Sequence, residues 1–384
     1  MKILHTIPSM GVNSGGPALS IYLIVKGLRN KDISAEVVTY QVSDESDKLI
    51  SSADFIHTLP PVTNRFAYSQ CFKIFLLQSK QYDIFHAHSI WLYPTYITAK
   101  IARKLNKPYI ITPHGMLYPQ DLAKGKLKKN IFLKLFLKND LQRAACIHVT
   151  CTEEMKHLRD LGVKSPIAVI PNPVDITGIE KPILPKTKLR VGYLGRVHPR
   201  KNIERLIYAW NKLQDNVNDG ELIIIGDGDK QYLDFLKREC KRLQLNNVVF
   251  TGFLSGNEKE NTLSSLSFLV VPSDFENFGY IVTEALVRGI PVIASKGTPW
   301  EELNTHNCGW WIDNDVDTIA NTLKEAIVLP EEEYRQMGIR GRELMKNNYS
   351  IEIIAEKIKQ LYQWILGQEE KPEFVYEKTC HTSL

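Results

Sequence analysis

The chain predicts an α/β fold with parallel sheets, built as two halves of similar construction. Three observations carry that expectation. Short runs rich in Val, Ile, Leu, Tyr and Phe alternate with helical stretches along the whole length. This is the pattern of strand–helix–strand units with a sheet covered by helices. An irregular, proline-rich stretch, 171–185, interrupts the alternation near its middle and reads as a linker. The 384 residues suffice for about two domains; 43% hydrophobic and 24% charged content suits globular cores.

In the first half, strands are expected near 3–7, 36–40, 54–59, 84–88, 109–112, 147–151 and 167–170, with helices between them, as at 17–29 and 96–105. In the second, strands are expected near 190–194, 222–225, 248–251, 268–271, 292–294 and 309–312. Each half reads as a Rossmann-type unit, which binds ligands in the loops at its strand carboxyl ends. The expected division is 1–184, 185–349, and a final helix and tail, 350–384. The helix runs near 351–366; past Gln368 the patterning weakens and the tail reads as loose.

Composition excludes several function classes. A net charge of +5 is too weak to argue for nucleic acid without a focused patch. The six cysteines show neither metal-ligand spacing nor a paired framework, so they read as thiols of a reducing compartment. Met1 to Pro8 is too short and too soon broken for a signal peptide; it reads as a first strand. No apolar run reaches the ~18–20 residues that span a bilayer. The expected location is cytoplasmic, with the inner face of the plasma membrane as an option.

The densest chemistry lies between Val271 and Ala294, which reads as strand, loop, helix, turn, strand. Glu276 falls on the loop, and Glu284 falls about a turn and a half into a helix opened by Phe278-Gly279. Amides at a helix start after a strand can hold an anion such as a diphosphate. A carboxylate further along can bond ribose hydroxyls. Earlier, Arg196 ends a strand and Lys201 follows five residues on, just before a helix. Arginine forks onto two phosphate oxygens and lysine adds a compact charge; the plainer alternative is a pair of solvated loop cations.

Weaker signals surround these. Gly15-Gly16-Pro17 after the first strand lets backbone approach a phosphate, but the run lacks dinucleotide spacing and a Walker lysine. His114-Gly115 ends another strand. His86 and His88, two apart on a strand, could ligate a metal; with no third ligand visible, no metal is expected. Gly226-Asp-Gly228 lacks a third glycine, which disfavours a nicotinamide cofactor. The run 124–138 holds six lysines and no acid among apolar residues, with no clean stripe. It reads equally as a membrane-surface helix or as a partly buried helix with snorkelling lysines.

The spacing Glu276-x7-Glu284 resembles the E-x7-E signature of retaining glycosyltransferases of family 4. The likeness includes Pro272-Ser273, Phe278-Gly279, Glu284-Ala285 and Gly289-Ile-Pro291-Val292. It implies the GT-B fold, with two Rossmann-like domains of parallel sheets facing a central cleft and the last helix crossing back to the first domain. It implies a metal-independent enzyme moving a sugar, with retention, from a nucleoside diphosphate, UDP before GDP, to a hydroxyl of a glycan or lipid-linked acceptor. By position it makes Arg196, Lys201 and Glu276 the catalytic groups. Gly15, Gly16, His114, Leu254, Phe278, Gly279 and Glu284 would bind the nucleotide sugar. No cofactor beyond that co-substrate is implied. Gly297-Thr-Pro-Trp-Glu-Glu and Cys308-Gly-Trp-Trp-Ile resemble the bacterial surface-polysaccharide branch. Asn277 stands where glycine is usual, and Asn172-Pro173 where Asn-Gly is usual; neither removes a charge. The alternatives are another GT-B nucleotide-sugar enzyme, such as an epimerase, or a non-catalytic scaffold.

Overall fold

The computed structural model describes residues 1–11, 14–42, 53–123, 129, 131–177, 188–214, 217 and 219–378, with the side chains of 134 and 135 left out. The chain forms two compact units, Met1–Asp175 with Tyr349–Leu384, and Ile176–Asn348. Each is an α/β layer structure.

The first unit carries an eight-stranded sheet. Its strands are β1 (Lys2–Ser9), β2 (Ser34–Tyr40), β3 (Ile56–Leu59), β4 (Ile84–His88), β5 (Tyr109–Thr112), β6 (Cys146–Val149), β7 (Ile167–Val169) and a last strand, Val375–Tyr376. In space they run from the last strand through β7, β6, β5, β4, β1, β2 and β3. All pairs are parallel except the last strand on β7. The sheet is buried on both faces, so its strands are near-continuous apolar runs. Leu4, Phe85, Ile111 and Ile147 face one core. Ile3, Ile84, Ile110 and Cys146 face the other.

The helix Ile351–Ile365 covers that second core through Ile354, Ile358, Leu361 and Tyr362. It lies against the helix Gly16–Arg29 at Gly27, where a Cβ would come 2.7 Å from Ile351 Cγ2 and 2.8 Å from Ala355 Cβ. Only glycine permits that approach. As far as residue 378 the tail corrects the expectation of looseness; 379–384 lie outside the described residues. Val375 and Tyr376 pair with Ala168 and Ile167, and Arg159 donates to the Tyr376 carbonyl. Backbone pairing, invisible to side-chain patterning, holds it.

The second unit carries a six-stranded, all-parallel sheet in the order β10-β9-β8-β11-β12-β13. Its strands are β8 (Arg190–Leu194), β9 (Glu221–Ile225), β10 (Val248–Gly252), β11 (Phe268–Val271), β12 (Val292–Ser295) and β13 (Gly309–Ile312); the last strand of the chain is β14. Its core holds Tyr193, Trp210, Ile224, Val270 and Ile293. Much of the expected linker lies outside the described residues, as does much of the basic run 124–138. Among the described residues no helix is long and apolar enough to cross a membrane.

Candidate active site

In the second unit the cations and carboxylates gather at the carboxyl ends of β8 and β11. The chain leaves β8 through Gly195-Arg196 and makes one tight turn, Pro199–Lys201, whose following residue, Asn202, is left-handed at φ 49°. That turn brings Lys201 inward, to 9% exposure. Its ammonium pairs with the Glu276 carboxylate, with side-chain exposures of 11% and 13%. Ser273 donates to the same Glu276 oxygen at 2.8 Å. In so dry a setting each group of the pair offsets the other's lost solvation.

The loop bearing Glu276 is braced from three sides. Asn202 Nδ2 donates to the Pro272 carbonyl at 3.0 Å and to Asp274 at 2.7 Å. Asp274 N donates to the Arg200 carbonyl at 3.0 Å, and Glu276 N to the Gly297 carbonyl at 2.8 Å. A Cβ on Gly297 would lie 2.2 Å from the Asp274 carbonyl oxygen, so only glycine fits there. Ser273 and Gly297 stand in the quoted motifs without a role, and Asn202 in none; the fold makes all three supports of the Glu276 loop. Asn202 directly follows Lys201, and that adjacency was the available signal.

Arg196 is exposed, and among the described residues it forms no ion pair. The Tyr193 hydroxyl holds its carbonyl at 2.9 Å. His198 and Arg200, on the same loop, have local roles. His198 Nδ1 accepts from Arg200 N at 3.2 Å, and the Arg200 guanidinium lies 5.1 Å from the Phe275 ring centre.

The helix after the loop is Tyr280–Val287, capped by Gly279 in left-handed geometry with no side-chain cap. Its first amides are those left without intrahelical acceptors. The Phe278 ring is buried beside Trp300, whose indole donates to the Phe278 carbonyl at 2.6 Å. Phe278 therefore positions the helix start by packing. Glu284 is half-buried, and Lys259 lies 2.6 Å from its Oε2, a partner absent from the sequence argument. Leu254 is half-buried on the loop after β10, beside the exposed Phe253. The Gly226-Asp-Gly228 turn is a backbone brace. Gly195 N donates to Ile225 O at 2.9 Å, and Val197 N to Asp227 O at 3.0 Å.

In the first unit, Gly15 has φ 60° and opens the helix Gly16–Arg29, with Pro17 in its first turn. His114 and Gly115 follow β5 after Pro113, both with positive φ, at 53° and 76°. Gly115 N donates to the buried Glu154 carboxylate, which Thr150 N also reaches at 3.1 Å. His114 is half-buried and stacks on His88 at 5.3 Å.

The fold overturns the expectation that no third ligand stands near His86 and His88. His86 and His88 do have a third histidine beside them. His5 sits opposite His86 in the β1–β4 register, and ligand atoms of the three lie within 4.8 Å of one another. All three are fully buried. The ring nitrogens, however, are hydrogen-bonded to one another and to their neighbours.

Comparison with known proteins agrees with this architecture. The family model "Glycosyltransferase Family 4" matches residues 14–177, and "Glycosyl transferases group 1" matches residues 177–344. The chain is 26% identical over 362 residues to an uncharacterized glycosyltransferase of Methanocaldococcus jannaschii, covering 91% of this chain and 94% of that one. It is 29% identical over 205 residues to a GDP-mannose-dependent alpha-mannosyltransferase of Mycolicibacterium smegmatis, about half of each chain at 51%. Among solved structures, Anabaena HepE in complex with UDP and glucose superposes with a TM-score of 0.72 at 19% identity, covering 94% of this chain and 99% of that one. Sucrose-phosphate synthase of Thermosynechococcus elongatus gives 0.75 at 20% identity, covering 96% and 100%. Those two likenesses concern the fold. Two Rossmann-like sheets, the motif spacing and two family models that together run from residue 14 to 344 lead to one assignment: the chain belongs to the family 4 glycosyltransferases of the GT-B type.

Proposed function

We propose that this glycosyltransferase moves a sugar from a nucleoside diphosphate to a hydroxyl with retention at the anomeric carbon and without a metal ion. The observation that carries the reading is the buried Lys201–Glu276 pair, with the exposed Arg196 five residues before Lys201 on the loop after β8. When the bond from the anomeric carbon to the diphosphate breaks, negative charge grows on the leaving oxygen. Arg196, Lys201 and the amides after Gly279 would stabilise it, a form of catalysis worth about 10²–10³-fold per donor. A leaving diphosphate would draw Lys201 toward itself and free Glu276 for hydroxyls of the sugar. Glu284 would bond the ribose, in exchange for Lys259. By the family likeness, Gly15, Gly16 and His114 are proposed as contacts to the donor, and Leu254 as a contact to the base.

The acceptor we propose is a glycan or lipid-linked oligosaccharide of a surface polysaccharide. Phe66, Tyr68, Ile131 and Phe136 are exposed, and Phe132 lies 6.0 Å from Phe66 and 5.6 Å from Phe136. Exposed apolar groups beside a basic run suit the surface of an anionic membrane.

A thermal-shift panel of UDP, GDP and ADP ranks the nucleoside, with UDP expected first. A ligand at ~100 times its dissociation constant adds about 2.7 kcal/mol. The ranked donor is then turned over in EDTA, and fresh product is read by NMR. Retained anomeric configuration and unchanged rate support the proposal. An inverted product, or loss of activity restored by Mg²⁺ or Mn²⁺, rejects it.

A further inference from the structure

Five histidines, one threonine and one tyrosine form a single hydrogen-bonded chain across the first unit. The period of two along a strand sets its members. His5, His86, Thr112 and His148 share the sheet face of Ile3, Ile84, Ile110 and Cys146. Tyr362 comes down on them from the helix Ile351–Ile365. His148 Nε2 lies 2.8 Å from the Ile170 carbonyl oxygen. His148 Nδ1 lies 3.1 Å from Thr112 Oγ1, which lies 2.7 Å from His86 Nε2. His86 Nδ1 lies 2.8 Å from the Tyr362 hydroxyl, which lies 3.3 Å from His5 Nε2. His5 Nδ1 lies 2.9 Å from His88 Nε2, and His88 Nδ1 lies 3.1 Å from His114 Nε2.

The direction of every bond follows from one end. A carbonyl oxygen only accepts, so His148 must donate from Nε2. A neutral ring then accepts at Nδ1, so Thr112 donates to it and accepts from His86 Nε2. By the same step Tyr362 donates to His86 Nδ1 and accepts from His5 Nε2. His88 donates from Nε2 to His5, and His114 donates from Nε2 to His88. These directions hold when every ring is neutral. Burial supplies that: it pushes His5 down to about 3 and His148 to about 4, and holds His86 and His88 well below the usual histidine range. One ring with the other tautomer would set two donors or two acceptors face to face in a dry interior.

We propose that this chain fixes His114 as the neutral Nε2–H tautomer, so that its Nδ1 meets ligand only as a hydrogen-bond acceptor. The inference rests on the reading that His114 faces the donor sugar. The group opposite Nδ1 must then bring a hydrogen, as a sugar hydroxyl does. A phosphate oxygen or carboxylate there would set lone pair against lone pair. His5, His86, His88, Thr112, His148 and Tyr362 act as positioning residues that determine what His114 recognises. The same parity accounts for the three-histidine cluster without a metal, since a metal would displace bonds that already satisfy those nitrogens.

The test is NMR of the full chain with ring-¹⁵N-labelled histidine, without substrate, near neutral pH, and with His114→Gln assigning its signals. We expect five neutral rings, each protonated at Nε2. A proton on His114 Nδ1, a doubly protonated ring, or a stoichiometric metal ion by elemental analysis would overturn the proposal. Tyr362→Phe removes one hydroxyl in the middle of the chain. We expect His114 to become a mixture of tautomers and kcat/KM for the donor to fall roughly tenfold. Thr112→Val, of similar volume, breaks a different link and serves if Tyr362→Phe does not fold. An unchanged His114 tautomer in a folded variant sinks the coupling, whereas a purely structural role would leave that signature unmoved. Absence of sugar transfer by the wild type, with the five tautomers as expected, would reject the glycosyl-transfer reading and leave the hydrogen-bonded chain standing.

Discussion

The two units meet the same problem, buried polar groups at strand carboxyl ends, in opposite ways. In the second unit Lys201 and Glu276 form an ion pair, and each offsets the other's lost solvation. In the first unit His5, His86, His88 and His148 are buried more completely and stay neutral, each nitrogen using a hydrogen bond. A charged pair can be opened by a ligand that offers a new counter-charge, so it suits a centre where charge is made and lost. A neutral network has no charge to exchange and holds geometry. Removing solvation is tolerated in both, by different compensation.

The largest expected effect comes from acid acting on the neutral side. A histidine held below its unfolded value stabilises the fold above about pH 6.5 and loses that contribution as pH falls toward the folded value, because the unfolded chain takes up the proton first. For four buried rings the window runs from about 6.5 down toward the folded values of about 3 and 4 for His5 and His148. Each ring costs up to about 1.4 kcal/mol per pH unit within it. Denaturant midpoints should therefore fall steeply between neutral pH and pH 5, with uptake of more than one proton on unfolding. A flat profile would mean these rings are already charged when folded.

The next effect separates the paired, buried cation from the exposed one. Lys201→Ala should cost ~10²-fold or more in kcat and also about 3–5 kcal/mol of stability, because Glu276 is left buried without its partner. Thermal melting of a variant that loses turnover but keeps its Tm would contradict the pairing. Arg196→Ala should lose ~10²-fold in kcat with the Tm unchanged, since an exposed side chain contributes little to the fold. Turnover of Arg196→Ala within threefold of wild type would remove it from the site. The smallest effect is expected at Glu284→Gln, which should weaken nucleotide binding by roughly 1.5–3 kcal/mol in calorimetry. Equal affinity would mean that Lys259 keeps Glu284 from the ribose.

Local signals reached far in this chain because they depend on residues near each other in sequence. Strand and helix alternation, the helix start at Gly279, and the Arg196–Lys201 and Glu276–Glu284 spacings each lie within one strand–loop–helix unit. Boundaries slipped where caps decide them: the helix expected at 96–105 begins at Tyr93, after the extended Leu92 with Pro94 in its first turn. What sequence could not supply is which distant residues become neighbours. His5 stands beside His86 and His88 only through the β1–β4 register, and Tyr362 reaches them only because the final helix packs at Gly27. Lys259 finds Glu284, and β14 finds β7, for the same reason. The chain's own pattern determines which faces are apolar and where loops open for ligands. Tertiary packing alone decides which polar groups are paired, which stay neutral, and therefore which charges remain free to do chemistry.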